Sequence, residues 1–465
     1  MSMIIKNKEI KYLLIGFALR VFFAPWTEQR WDMYLNRLFC AYVYGYGLDP
    51  FWPWSGKPLV NPPILHYSYP PVWLFTLLSL FPIWLITTGY RFPRDVSDLW
   101  QYGTKVDNIF ESYRSFIPSS LPLLDLILKL PNILADIVIG YTLLKLAFTP
   151  TERRIVILFW IFNPFIIQVS TIWGAFDAFA TLFAFVSLYL LWKHRNFFSA
   201  VALSLGVGTK LYPVFFLIPI LIYVYKRSGG KAALEYLSVV IVVCATIFLT
   251  HFLFPSGLFA LQQQLIKRAS PDWMGKNVFS GLTWLSLLSV IELRNNLPVF
   301  LLVFIPAYVL LNWLFWKSTG HYDSLIIYLT RVLLIIYISY PIINPQYIYW
   351  ILPPTIYLLM RGEFSKRIYL ALNIIPLVWM HVAYNPLYFL SPIIVWDEWH
   401  YPPWSNIIIH LRTLIPISSV LLFLSCTFSL ICMLGLIRHV QDYFNFSIKI
   451  KFEGKLLKFS RKIQR

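Results

Sequence analysis

Long apolar runs, separated by short basic or proline-bearing stretches, set the pattern of the chain. A membrane helix takes about 20 mostly apolar residues. On that measure spans fall near 10–27, 122–147, 154–171, 175–192, 197–209, 211–226, 234–254, 297–316, 323–342, 347–360, 367–384 and 411–437. The pattern predicts an all-α polytopic membrane protein with about 12 transmembrane helices. The pieces 197–209 and 211–226 are short, and Lys210 and Pro213 interrupt one apolar run between them, which suggests a bent pair. A further run, 72–88, is apolar enough to span, although Pro82 in its middle weakens a straight helix. Full crossing there would invert every later loop, so a re-entrant or interfacial helix in the outer leaflet is expected.

Charge sets the orientation of the spans, because cytoplasmic loops carry the excess of Lys and Arg. With Lys6, Lys8 and Lys11 inside, Arg153/Arg154, Lys193/Arg195, Lys226/Arg227, Lys317, Arg361/Lys366/Arg367 and the basic tail from Arg438 also fall inside. The same parity places Asp32, Tyr69, Asp177, Lys210, Asn344 and Gln346 on the extracytoplasmic face. The expected layout is one transmembrane domain over 1–440, a long first outer loop over 27–121 carrying interfacial helices, and a cytoplasmic tail over 441–465. The N-terminus starts basic and turns apolar like a signal peptide. It lacks a small-residue cleavage site and carries Arg20, so a retained first helix is expected. No internal repeat is evident, which counts against a duplicated transporter fold.

Composition sharpens this picture. Charged residues make up 13% and hydrophobic residues 58% of the 465, against about a quarter charged in a soluble domain. A net charge of +18 could suggest nucleic acid, but the basic residues sit at segment ends and in the tail. That distribution fits anionic lipid headgroups, not a nucleic-acid face. Cys40, Cys244, Cys426 and Cys432 are dispersed with no CxxC spacing, so neither a metal site nor a disulfide framework is expected. No GxxxxGK[ST], GxGxxG or HExxH occurs. The layout leaves no room for the soluble α/β domain of a nucleotide-sugar enzyme.

The unusual polar residues lie at segment ends. Asp32 follows the first span, flanked by Arg30, Trp31, Tyr34 and Arg37. A general base must reach the proton it removes in a site that excludes bulk water, and a loop folded back on the bilayer offers one. A solvated loop charge is the alternative, and Asp49 before Pro50 reads as a turn. Tyr67-Ser-Tyr69-Pro70-Pro71 opens a helix and directs Tyr69 rigidly, either into a site or as an interfacial anchor. Asp177, in Trp173-Gly-Ala-Phe-Asp177, either points into the bundle or caps the next helix. Lys210 between two apolar runs calls for an anionic partner, such as a lipid-linked phosphate, unless it snorkels to the surface. Lys267, Arg268 and Lys276 could clamp the same phosphate or face headgroups. Arg331 lies mid-span and should pair inside the bundle. Tyr212 adjoins Lys210, and Asn344 and Gln346 offer amides suited to sugar hydroxyls. Trp396-Asp397-Glu398-Trp399-His400 has metal-ligand residue types but stays unassigned.

The order of these features resembles a known family. The set comprises the acidic first loop, the Tyr-Pro-Pro helix, Lys129-Leu-Pro131-Asn-Ile-Leu-Ala-Asp136, Asn163-Pro164 followed by Trp173-Gly-Ala-Phe-Asp177, Lys210-Leu-Tyr212-Pro213, and Asn344-Pro-Gln346-Tyr347 with Trp350 and Pro353. It is similar to the integral-membrane GT-C glycosyltransferases that use polyprenyl-phosphate sugars, including the GPI mannosyltransferases and their archaeal and bacterial relatives. The resemblance implies a GT-C-like fold with Asp32 as general base. Lys210 and Arg268 would bind the donor phosphate, and Tyr69, Asp177, Tyr212, Asn344 and Gln346 would bind substrate. Many members pair two acids in the first loop. Here Trp31-Asp32-Met33 leaves the second to Glu28, Asp49 or Asp177.

The implied reaction moves a sugar, expected to be mannose, from a dolichyl-phosphate donor to a lipid- or protein-linked glycan, with no nucleotide, soluble cofactor or metal assigned. An archaeal plasma membrane is favoured over the ER. The rival reading is a membrane transporter or lipid-linked-sugar flippase, with Lys210, Asp177 and Arg331 forming a polar path through the middle of the bundle.

Overall fold

The computed structural model describes residues 7–46, 69–89, 120–255, 257–266, 281–287, 300–318, 320–340, 342–384, 389–390 and 416–437. Regular structure among them is helical, apart from one isolated antiparallel bridge between Thr27 and Leu390. The first helices are α1 (Asn7–Phe23), α2 (Arg30–Tyr46), α3 (Pro71–Thr88) and α4 (Leu121–Leu146). A broken helix α5 (Pro150–Trp173) follows, then α6 (Asp177–Trp192), α7 (Asn196–Thr209) and α8 (Tyr212–Leu253).

A helix occupies each of the twelve expected stretches, but fewer of them meet the measure for crossing a membrane. Among the described residues five are long and apolar enough to cross: α3, α5, α8, Tyr322–Ser339 and Ile417–Ile437. Three shorter apolar helices are α6, α7 and Leu302–Lys317. The 26-residue α4 carries Asp125, Lys129, Asp136 and Lys145, and this charge keeps it out of the apolar set.

Those charges are ordered. Asp125, Lys129, Asn132 and Asp136 recur at i, i+4, i+7 and i+11, which places them on one helical face. All four are fully buried. A buried polar group is tolerable only when it is bonded, and each of these reaches a different segment. Asp136 accepts from Arg20 Nε of α1 at 2.6 Å, from Ser170 Oγ of α5 at 2.8 Å and from Tyr349 OH at 2.6 Å. Lys129 Nζ donates to the carbonyls of Ala24 at 3.1 Å and Ile172 at 3.4 Å, and also to Thr27. Asn132 Nδ2 donates to Gly174 O at 3.2 Å. Asp125 takes Arg37 Nε of α2 at 2.8 Å. One helix face thus fixes where α1, α2 and the end of α5 lie.

Two proline-bearing helices behave differently from each other. In α5 the chain breaks at Asn163-Pro164, where Asn163 Oδ1 accepts from Phe165 N at 2.9 Å and starts the helix again. The Asn163 amide also donates to Asn373 Oδ1 at 2.8 Å and Tyr369 OH at 3.1 Å. In α3, by contrast, Pro82 does not interrupt the helix. A proline deprives the carbonyl four residues earlier of its donor, here Leu78, and Tyr44 OH from α2 donates to that carbonyl at 2.6 Å. The bend expected at Lys210 is present: α7 ends at Thr209, Lys210 is extended (φ −154°, ψ 139°), and Pro213 opens α8. A second break at Gly229 (φ 86°) divides α8 beside Lys226 and Arg227.

Removing one member of a buried pair strands the other charge and destabilises by about 3–5 kcal/mol, whereas replacing both by apolar residues is far milder. Asp136→Leu should therefore melt at a markedly lower temperature in detergent, and Arg20→Met with Asp136→Leu should recover much of that loss. An unchanged melting temperature in the single variant would show that the pair does not hold α1 to α4.

Candidate active site

Two chain breaks create the site. The α7–α8 break leaves Lys210 extended at a helix end, with its ammonium turned inward and its side chain only 5% exposed. It does not snorkel. Its Nζ donates to Asp177 Oδ1 at 2.6 Å, and Asp177 is itself 2% exposed. Asp177 is the first residue of α6, where the helix dipole favours a carboxylate. The same Oδ1 accepts from Trp350 Nε1 at 2.6 Å.

Aromatic rings enclose the cation. Lys210 Nζ lies 4.4 Å from the centre of Tyr347, 5.0 Å from Phe176, 5.1 Å from Trp350 and 5.7 Å from Tyr69. Desolvated cations gain from such faces. Trp350 is sandwiched between Tyr212 (4.1 Å, 2° between planes) and Tyr347 (4.6 Å, 20°). Tyr212 OH donates to Thr181 Oγ1 at 3.1 Å. On the other side Tyr69 meets Phe176 edge-on at 4.6 Å, and Trp73 stacks on Phe176 at 5.3 Å. Pro70 and Pro71 at the start of α3 hold Tyr69 in that place.

The second break ends α5. Gly174 takes φ 79°, which turns the chain sharply after Trp173. Trp173 Nε1 donates to Asp32 Oδ2 at 2.7 Å. Asp32 lies in the first turn of α2, and its backbone N–H donates to Gln29 Oε1 at 2.6 Å. Burial pushes the Asp32 carboxyl above the ordinary carboxylate range. The Trp173 bond and the Lys210 charge pull it down, and the Asp177 charge pushes it up. Asp32, Lys210 and Asp177 therefore act on one another at one place in the molecule.

The structure thus brings Asp32, Tyr69, Asp177 and Lys210 together, with Tyr212 behind them. Asn344 and Gln346 flank Pro345 at the start of the short helix carrying Tyr347 and Trp350. Asn344 Nδ2 lies 3.4 Å from Tyr347 OH, while Gln346 is buried and its Oε1 makes no hydrogen bond. Glu28 is committed to Arg37, which also holds Asp125. Of the two candidates among the described residues, Glu28 and Asp177, Asp177 is the acid whose charge bears on Asp32. Arg331 is buried, with its guanidinium 5.0 Å from the Tyr328 ring. Asp49, Lys267, Arg268, Lys276 and Trp396–His400 lie outside the described residues. Sequence reasoning missed Trp173 and Trp350 as hydrogen-bond donors to the two carboxylates. Among 19 tryptophans nothing local marks these two.

Comparison with known proteins finds relatives over part of the chain. No family model matches it. It is 30% identical over 107 residues to GPI mannosyltransferase 1 of Saccharomyces cerevisiae, which covers 22% of this chain and 26% of that protein. The same enzyme from Candida albicans is 31% identical over 106 residues, covering 22% and 26%. That from Kluyveromyces lactis is 25% identical over 197 residues, covering 40% and 48%. The chain thus spans less than half the length of these curated relatives.

Gly174 tests the second break. A Cβ there would lie 2.9 Å from Lys129 Cε and 3.0 Å from Met33 Sδ, on a backbone that L-residues avoid. Gly174→Ala should lower stability by at least the left-handed penalty of about 1–2 kcal/mol and displace Trp173 from Asp32. A variant that melts and turns over like the wild type would show that this turn does not position the site.

Proposed function

We propose that the chain is an inverting glycosyltransferase that moves a mannosyl group from a dolichyl- or polyprenyl-phosphate donor to a lipid- or protein-linked glycan on the extracytoplasmic side of its membrane. The observation that carries this reading is the meeting of Asp32, a carboxyl whose burial favours its neutral form, with a buried, ring-enclosed cation, Lys210. The similarity to GPI mannosyltransferase 1 supports it over part of the chain.

In this mechanism Asp32 takes the proton from an acceptor hydroxyl as its oxygen attacks the anomeric carbon. The bond from that carbon to the donor phosphate breaks and the electron pair leaves on the phosphate. Attack from the opposite side inverts the configuration. The phosphate needs no proton, only a counter-charge aimed where negative charge develops. Lys210 supplies it by exchanging Asp177 for the phosphate, and Arg268 is proposed as a second cation. Asp177 holds the ammonium ready and, through its own charge, keeps Asp32 basic. The free Oε1 of Gln346 and the amide of Asn344 take sugar hydroxyls, and Tyr69 and the Tyr212–Trp350–Tyr347 stack wall the sugar. The lipid tail lies beside α3. No residue of this scheme requires a nucleotide or a cofactor. This reading places both termini in the cytoplasm and favours an archaeal plasma membrane over the ER.

The test uses purified protein, dolichyl-phosphate mannose and a glycolipid acceptor. A positioned general base contributes about 10²–10⁴-fold, so Asp32→Asn should lower kcat by that factor while donor binding persists. Turnover at the wild-type rate would refute Asp32 as the base. Lys210→Ala should lower kcat/KM for the donor by about 10²–10³-fold, and undiminished donor use would exclude Lys210 from the phosphate.

The pH dependence has a definite sign. Asp32 works ionised, so turnover fails as pH falls through a pKa above the ordinary carboxylate value. Asp177→Asn removes a charge that raises it, so the acid limb of its profile should move to lower pH.

A further inference from the structure

We infer that Trp173 is a positioning residue for proton abstraction: its indole N–H occupies Asp32 Oδ2 and leaves Oδ1 to take the acceptor's proton. This rests on the reading of Asp32 as the base.

Three contacts converge on that carboxylate. Trp173 Nε1 donates to Oδ2 at 2.7 Å. The Trp173 carbonyl accepts from Gln29 N at 3.1 Å, and Gln29 Oε1 accepts from the Asp32 backbone N–H at 2.6 Å. One tryptophan thus grips the base at its side chain and, through Gln29, at its main chain. The grip is rigid because the indole is buried, edge-on to Tyr384 at 5.4 Å and beside Phe389 at 5.8 Å. Phe389 O also accepts from Glu28 N at 2.9 Å, so the ring and the Asp32 segment share one anchor.

The chemistry of the donor matters as much as its place. An indole N–H donates and cannot accept or relay a proton, so its influence is confined to orientation and charge. It is also neutral. A guanidinium on the same oxygen would favour the ionised carboxylate far more strongly and spoil it as a base. The one arginine of this segment that could do so and whose contacts are described, Arg37, is committed to Glu28 and Asp125. Among the described residues the charged groups acting on Asp32 are Lys210 at the α7–α8 break and Asp177 at the start of α6, and these oppose one another. A neutral donor therefore orients the base without disarming it.

The experiment compares Trp173→Phe, Asp32→Asn and wild type, measuring donor Kd, kcat and the pH profile of kcat. The Phe ring keeps the contacts to Tyr384 and Phe389 and loses the N–H. A hydrogen bond to a charged acceptor is worth a tenfold to hundredfold effect, so kcat at neutral pH should fall by that factor with donor Kd little changed. Loss of a bond that favours the ionised carboxylate should move the acid limb to higher pH by about one unit. A purely structural role would lower the active fraction without moving the limb. If Trp173→Phe does not purify folded, Trp173→Tyr fills more of the indole volume without a donor at the Nε1 position and gives the same readout. An inactive Asp32→Asn beside an unmoved acid limb in the Trp173 variant overturns this inference alone. A fully active Asp32→Asn overturns the underlying reading as well.

Discussion

The face of α4 that carries Asp125, Lys129, Asn132 and Asp136 is the constraint on which the other elements depend. Each side chain is buried, and each is answered from a different stretch of chain: α2, the Ala24–Thr27 carbonyls, the turn at Gly174, and α1 with α5 and Tyr349. Apolar packing is non-directional and would let these helices slide or rotate. Hydrogen-bonded charges in a low-dielectric interior do not, because any displacement strands a charge. The stripe thereby sets the height and rotation of α2 and the end of α5, which in turn carry Asp32 and Trp173.

The distribution of charge follows a consistent logic. Among the described residues, three buried cations near the site are given to an acid or a carbonyl other than Asp32: Arg37 to Glu28 and Asp125, Lys129 to main-chain oxygens, Lys210 to Asp177. Asp32 receives a neutral donor, and that bond and the Lys210 charge offset its desolvation only in part. That is the environment a general base requires. Lys210 is the mirror case, a cation stabilised by one acid and several ring faces.

Much of this layout was legible in the apolar periodicity, and much was not. The positions of the helices followed from run length, and the break at Lys210 followed from the lysine and Pro213 together. The need for an anion at Lys210 was also readable, although the partner found is Asp177. The polar stripe drew no notice as a spacing, and its partners lie up to 213 residues away, as with Tyr349, where no local pattern encodes them. Pro82 misled because the rescue of the Leu78 carbonyl comes from Tyr44 on another helix. Trp173 carried no assigned role, since the same residue type serves membrane anchoring and hydrogen bonding equally well. Lys129 to Asp136 was recognisable as a motif, while its physical task became clear only with its neighbours in place.

The central claim is that Asp32 and Lys210 serve opposite sides of one reacting carbon. The most direct measurement is a structure of the protein with an unreactive 2-fluoro analogue of a polyprenyl-phosphate mannose. The account predicts the phosphate within hydrogen-bond reach of Lys210 Nζ, with Asp177 released, and Asp32 Oδ1 facing the anomeric carbon from the side opposite the phosphate. A phosphate bound elsewhere, with the Lys210–Asp177 pair intact, would contradict it.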